Sequence, residues 1–172
     1  MLPKFALLSA TLIAGVSAPA FAAAPTDPQI AHIAYTADAI DIAAGKQALA
    51  RSHSRAVRSF AQQMIRDHAA VNAKALALVK KLHVTPEANP TSAGLQKDAN
   101  ATMRRLSHLR GRAYDRAYVD NEVAYHKTVN GALESTLIPS AKNGELKSLL
   151  ETGLTLFREH QAHAEQVAKD LK

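Results

Sequence analysis

Four long stretches of this chain carry apolar residues at alternating steps of three and four, and each places an ionisable side chain on that apolar stripe. The spacing is that of an amphipathic helix packed against others. The first stripe is Ile30, Ala34, Ala37, Asp41, Ala44, Ala48. The second is Val57, Ala61, Met64, His68, Val71, Ala75, Leu78, Leu82. The third is Val119, Glu122, His126, Val129, Leu133, Leu137, and the fourth is Leu146, Leu150, Gly153, Phe157, His160, Ala164, Val167, Leu171. Core-facing positions are normally aliphatic, and charged residues are almost never fully buried unless paired. Asp41, His68, Glu122, His126 and His160 therefore have to satisfy one another, reach water, or bind something.

Local signals delimit the helices. Asp27-Pro28 is an N-cap followed by proline at the first helical position, and the first helix runs to about Arg51. Ser52 or Ser54 starts the second, which ends near His83. Val84 to Pro90 is a linker. Thr91 or Ser92 caps a short third segment that ends before Gly111. The next long helix spans about Arg112 to Ile138 and is ended by Pro139. Asn143-Gly144 is turn chemistry, and the last helix runs from about Glu145 to Leu171. Period-two β-branched runs are absent. The expected fold is all-α: an antiparallel four-helix bundle with an extra short helix between the second and third long helices. The small residues of the first stripe predict close approach of a neighbouring helix.

The N-terminus reads as an export signal. Lys4 is followed by an apolar run, Phe5 to Val16, and by the small-x-small site Ala20-Phe21-Ala22. The run is shorter than the roughly 20 residues of a membrane span. Residues 1–22 are therefore expected to be a signal peptide cleaved after Ala22, and residues 23–172 the folded domain, exported to the periplasm or cell envelope. The alternative is an uncleaved N-terminal anchor. The chain has no cysteine, which excludes disulfides, thiol nucleophiles, thiolate metal sites and iron–sulfur clusters. Any metal has to be bound by oxygen and nitrogen.

The net charge of +6 falls to +5 once Lys4 leaves with the signal. An exported basic chain meets anionic envelope polymers or membrane surfaces rather than nucleic acid. Arg104, Arg105, Arg110, Arg112 and Arg116 are the candidate contact; the alternative is a solvated basic face. A homo-oligomer is left open.

Counting outward from a turn near Ala141 puts Glu122 level with His160, with His126 one turn closer to the turn. The same arithmetic offsets Asp41 from His68 by about five residues, or about 7 Å, which argues against one compact site using both. Imidazole and carboxylate together suit a single transition metal ion: iron, zinc, copper, manganese or nickel. The competing reading is a hydrogen-bonded structural layer with His163 exposed. Asp67 either orients His68 or faces solvent, and Tyr114 with Tyr118 reads as aromatic packing at a helix start rather than a redox pair. Nucleophile elbows, P-loops and glycine-rich dinucleotide turns are absent.

The segment Ser59-Phe60-Ala61-Gln62-Gln63-Met64-Ile65-Arg66-Asp67-His68 is one of three matching features. Ala113-Tyr114-Asp115-Arg116-Ala117-Tyr118-Val119 with His126 is the second, and His160 in the last helix the third. In order and spacing the chain resembles the exported bacterial proteins grouped as domain of unknown function family 4142. That resemblance implies a ferritin-like helical domain over nearly all of residues 23–172, and no particular reaction. The family usually has Glu where this chain has Asp41. Di-iron ferritins place a Glu three residues before a His on two helices. Here Glu122 is four before His126, and neither His68 nor His160 has a Glu three earlier, so the usual di-iron arrangement is absent. The reading on sequence is a non-enzymatic, stress- or metal-related envelope protein. Its alternatives are a metal-binding or redox protein using Glu122, His126 and His160, and a binder of anionic envelope polymers.

Overall fold

The computed structural model describes residues 24–171. The expected signal segment lies outside them. Among the described residues the fold is all-helical: α1 (Asp27–Arg51), α2 (Arg55–Lys81), α3 (Pro90–Ser107), α4 (Gly111–Ala132), a π-helical turn (Leu133–Leu137), the single turn α5 (Ile138–Ser140) and α6 (Gly144–Asp170). None of these helices is long and apolar enough to cross a membrane.

Side-chain bonds between helices give their directions. Arg58 reaches the Leu49 carbonyl, Gln63 meets His163, Asn130 meets Gln161, and Tyr125 meets the Ala37 carbonyl. Each pairing joins antiparallel neighbours, so α1, α2, α6 and α4 form a closed ring. In that ring α2 and α4 run the same way, and a long crossover must join them. Helix α3 is that crossover: Asn89 bonds the Gln29 carbonyl at one end, and Gln47 bonds the Met103 carbonyl further up, so α3 lies parallel along α1. Its 18 residues lie within about one residue of the expected segment between Thr91 and Gly111.

Several boundaries move for identifiable reasons. Thr26, not Asp27, caps α1, with Gln29 Oε1 accepting from the Thr26 amide. The freed Asp27 carboxylate instead accepts from the amides of Lys142 and Asn143, both at 2.8 Å, and pins the start of α1 to the start of α6. Asn89, not Thr91 or Ser92, caps α3, with Pro90 at its first position. Pro139 does not end α4 directly. A proline has no amide hydrogen and its ring clashes with the carbonyl four residues back. The chain widens into the π turn just before it, where the Ile138 amide reaches the Leu133 carbonyl.

The apolar core is in two parts. One gathers Phe60, Met64, Leu106, Tyr118 and Val119 toward the α1–α2 loop. The other gathers Ile30, Leu133, Leu150 and Phe157 toward the opposite end. Tyr114 and Tyr118 lie in the first part, with ring planes 4° from parallel and centroids 6.2 Å apart.

Helices α1 and α2 approach closely at Gly45. A β-carbon there would come within 2.9 Å of Ile65 Cγ1 and 3.0 Å of the Ala61 carbonyl oxygen. The backbone oxygen cannot swing aside as a side-chain end can. Gly45→Val is therefore expected to lower stability by about 1–3 kcal/mol, the usual range for overpacking. A urea midpoint equal to that of the native chain would show that the helix pair has slack.

Candidate metal centre

Between the two apolar clusters lies a polar layer. Asp41 of α1, His68 of α2, Glu122 and His126 of α4 and His160 of α6 meet there, and none is more than 3% exposed. One ring nitrogen from each of His68, His126 and His160 lies within 4.8 Å of the others. One donor atom from each of Asp41, Glu122 and His126 does the same. His126 belongs to both groups and joins them.

The expected separation of Asp41 and His68 is not found: His68 Nε2 is 3.2 Å from Asp41 Oδ2. Register arithmetic places backbones, but side chains lean toward the N-terminus of their own helix. In an antiparallel pair those leans oppose each other. Here His68 tilts toward the α1–α2 loop and Asp41 tilts away from it, which closes the gap. The residue opposite His68 by register is Asp38, which sequence reading overlooked. It is buried, and His68 Nδ1–H donates to its Oδ1 at 2.7 Å. The signal was available as a second aspartate one turn before Asp41.

Asp67 neither orients His68 nor simply faces solvent. Its Oδ2 accepts from His160 Nε2–H at 3.0 Å. His126 Nδ1–H donates to the Glu122 carbonyl at 3.0 Å. Each of the three imidazoles thus has one nitrogen held by an oxygen acceptor, which in the neutral ring fixes the tautomer and leaves the other nitrogen as the lone pair. Those other nitrogens are His68 Nε2, His126 Nε2 and His160 Nδ1, and all three are buried without a hydrogen-bond partner. So are both Asp41 carboxylate oxygens and Glu122 Oε2. An unsatisfied buried polar group costs about 1–3 kcal/mol. Six together rival the whole stability of a domain, about 5–15 kcal/mol.

Protons relieve part of this. Burial pushes the Glu122 carboxyl well up, and the neighbouring Asp41 charge and hydrogen bond add to the rise. Burial by itself would lower His68, but Asp41 and the bonded Asp38 overcome it and raise the imidazole above its ordinary value. The ring then directs its Nε2–H at Asp41. Burial also pushes His126 down, against the pull of Asp41, and pushes His160 down to about 4. Both therefore stay neutral at physiological pH, the form in which imidazole binds metal.

The donor set fits a transition metal ion. Imidazole with carboxylate is the chemistry of zinc, iron, copper and manganese sites. Metal-bound histidines characteristically donate their second ring N–H to a carboxylate or backbone carbonyl, as all three rings do here. Phe157 stacks on His68 at 4.7 Å and 19°, holding that ring in place.

His163 is half-buried, not exposed as expected, and bonds Gln63. Within the arginine group, Arg116 binds Asp120 through Nε and reaches the Ala168 carbonyl, while Arg112 donates to the Leu171 carbonyl. Arg104, Arg105 and Arg110 are exposed.

Fold and site together define a class: an all-helical bundle with one crossover helix and a buried histidine–carboxylate layer at mid-depth. The chain belongs to the family described as domain of unknown function (DUF4142), whose model matches residues 14–167. Searches of curated proteins and of solved structures found no significant match.

Proposed function

We propose that this protein is a ferritin-like bundle that binds a single transition metal ion, iron, zinc, copper or manganese, in its core. His68, His126 and His160 would hold the ion, with Asp41 and Glu122 supplying oxygen. The observation that carries this reading is the meeting of two buried donor groups that share His126, with one nitrogen of each imidazole anchored by an oxygen acceptor. The export signal read in the N-terminal residues supports a role in the cell envelope, where such a site would serve metal handling or stress tolerance. The reading assigns no catalytic step.

The test is the metal content of the protein purified without chelator or affinity tag, measured by elemental mass spectrometry. Near-stoichiometric iron, zinc, copper or manganese is expected. A metal-free chain that also refuses all four on reconstitution, with its helicity intact, returns the layer to a structural role. The anchoring acceptors give a finer check. Asp38→Asn and Asp67→Asn each keep the ring in place but weaken its acceptor, and each should reduce metal affinity about 10–100-fold. Competition with a chromophoric chelator measures this, and unchanged affinity in both would mean the anchors do not serve a metal.

A further inference from the structure

Two stretches of the chain, residues 42–66 and residues 99–114, contain no carboxylate. Together they hold eight of the ten arginines: Arg51, Arg55, Arg58, Arg66, Arg104, Arg105, Arg110 and Arg112. They are far apart in sequence, and the fold brings them to one end of the bundle. Arg51 Nη1–H donates to the Leu109 carbonyl at 3.5 Å, and Gln47 donates to the Met103 carbonyl at 3.0 Å. Val57, Leu106 and Tyr114 pack in one apolar cluster beneath them. Apart from Arg66, further along α2, these arginines surround the α1–α2 loop and the α3–α4 connection. On sequence only the second stretch forms a basic group; the tertiary structure adds the first.

The arginines divide by what holds them. Arg51, Arg58 and Arg112 donate to backbone carbonyls near helix ends, at Leu109, at Leu49 and Ser52, and at Leu171. Arg116, just beyond the second stretch, is paired with Asp120. Arg55, Arg104, Arg105 and Arg110 are exposed, and among the described residues their guanidinium groups make no hydrogen bond or ion pair. Helix α6 ends beside them with Lys169 and Asp170, whose charges offset. The opposite end of the bundle is mixed in sign. There Asp27 binds the Lys142 and Asn143 amides, and Lys81 pairs with Glu145 at 2.6 Å. Like charges gathered without counter-charge repel one another, and an anionic partner relieves that repulsion.

Three features narrow the partner. A guanidinium presents a planar fork that matches phosphate oxygens two at a time. The four free arginines come from the start of α2, the last turn of α3 and the residue before α4. They are spread over the end of the bundle and do not form a file along one helix. A linear polyanion is followed by a groove of positive charge, whereas a spread array matches phosphates distributed over a plane. The large exposed apolar side chains, Tyr35 and Leu76, lie on the far halves of α1 and α2. Contact at the arginine-rich end is therefore electrostatic, without insertion.

We propose that this end docks on the phosphate headgroups of an anionic lipid bilayer, so that the bundle stands on its end. The surface is independent of the metal reading, since the apolar cluster of Phe60 and Tyr118 separates it from the polar layer.

The experiment is co-sedimentation of the full chain with sucrose-loaded vesicles of phosphatidylcholine, with and without phosphatidylglycerol, at low salt. Binding only to the vesicles with phosphatidylglycerol is expected, with release at about 1 M salt, where the Debye length is about 3 Å. Arg55→Gln, Arg104→Gln, Arg105→Gln and Arg110→Gln should each weaken partitioning about fivefold. The variant carrying all four should not bind, while circular dichroism remains native. A chain with both Lys80→Gln and Lys142→Gln, exposed at the opposite end, should bind as the native chain does. Absence of binding at low salt overturns the proposal, as does equal binding to vesicles without phosphatidylglycerol. A loss in the lysine variant as large as in the arginine variants reduces the effect to net charge and also overturns it. Binding to soluble polyphosphate with none to vesicles assigns the arginines to a linear polyanion, against the bilayer.

Discussion

Alanine at position 126 is expected to reduce transition-metal affinity by more than about 100-fold, beyond the 10–100-fold usual for losing a residue that only supports a ligand. His126 is the residue common to the two donor groups, so its loss breaks both. The folded protein should tolerate the change, because the imidazole leaves an unpartnered nitrogen buried in the native chain. Helicity by circular dichroism separates loss of metal from loss of fold. The pH dependence adds a signature. Metal must displace the proton that Asp41 and Asp38 stabilise on His68 and the one that burial stabilises on Glu122. Affinity should therefore rise with pH until both groups have lost their protons in the folded chain, by about tenfold per pH unit for each proton released. Calorimetry in two buffers of different ionisation enthalpy counts those protons. A His126→Ala protein that retains native affinity, or uptake without proton release, would place the metal elsewhere.

Asp41→Ala should be the most damaging single change to the metal-free fold at mildly acid pH. It removes the carboxylate that faces His68 Nε2 at 3.2 Å and leaves a buried imidazolium without that partner. Breaking a buried pair in this way costs about 3–5 kcal/mol. The sign follows from linkage. The folded-state value of His68 is raised, so the pair's contribution is fully present below about 6.5, the unfolded value, and is lost as pH rises through the raised folded value. The penalty for Asp41→Ala should accordingly be large near pH 6 and shrink at a pH above the raised folded value, where His68 is neutral in both proteins. Urea denaturation at the two pH values measures it. Equal penalties would mean that His68 carries no proton in the native state.

Helix identity was legible in the sequence because it depends on neighbours three and four residues away. The stripes, the Ser54 cap, the turn at Asn143 and the inward set Asp41, His68, Glu122, His126 and His160 all follow from that local periodicity. Equal distances to one turn predict Glu122 level with His160, but it is the His126 ring that meets His160, with centroids 5.5 Å apart. Asp38 escaped notice because a residue beside a stripe becomes a core residue only when a second neighbour covers that flank. Here α2 packs close enough at Gly45 for the burial on α1 to spread well beyond one stripe. Asp67 was misassigned because adjacent residues on a helix point to different neighbours. One faces the centre of the bundle as His68, and the other reaches α6.

The sequence by itself determined which segments are helical and which ionisable groups turn inward, since both are properties of a 3.6-residue repeat. Only the tertiary structure decided that those groups meet. Convergence requires a register between helices, and that register is set by loop length, by the crossover of α3 along α1 and by opposed side-chain leans in antiparallel pairs.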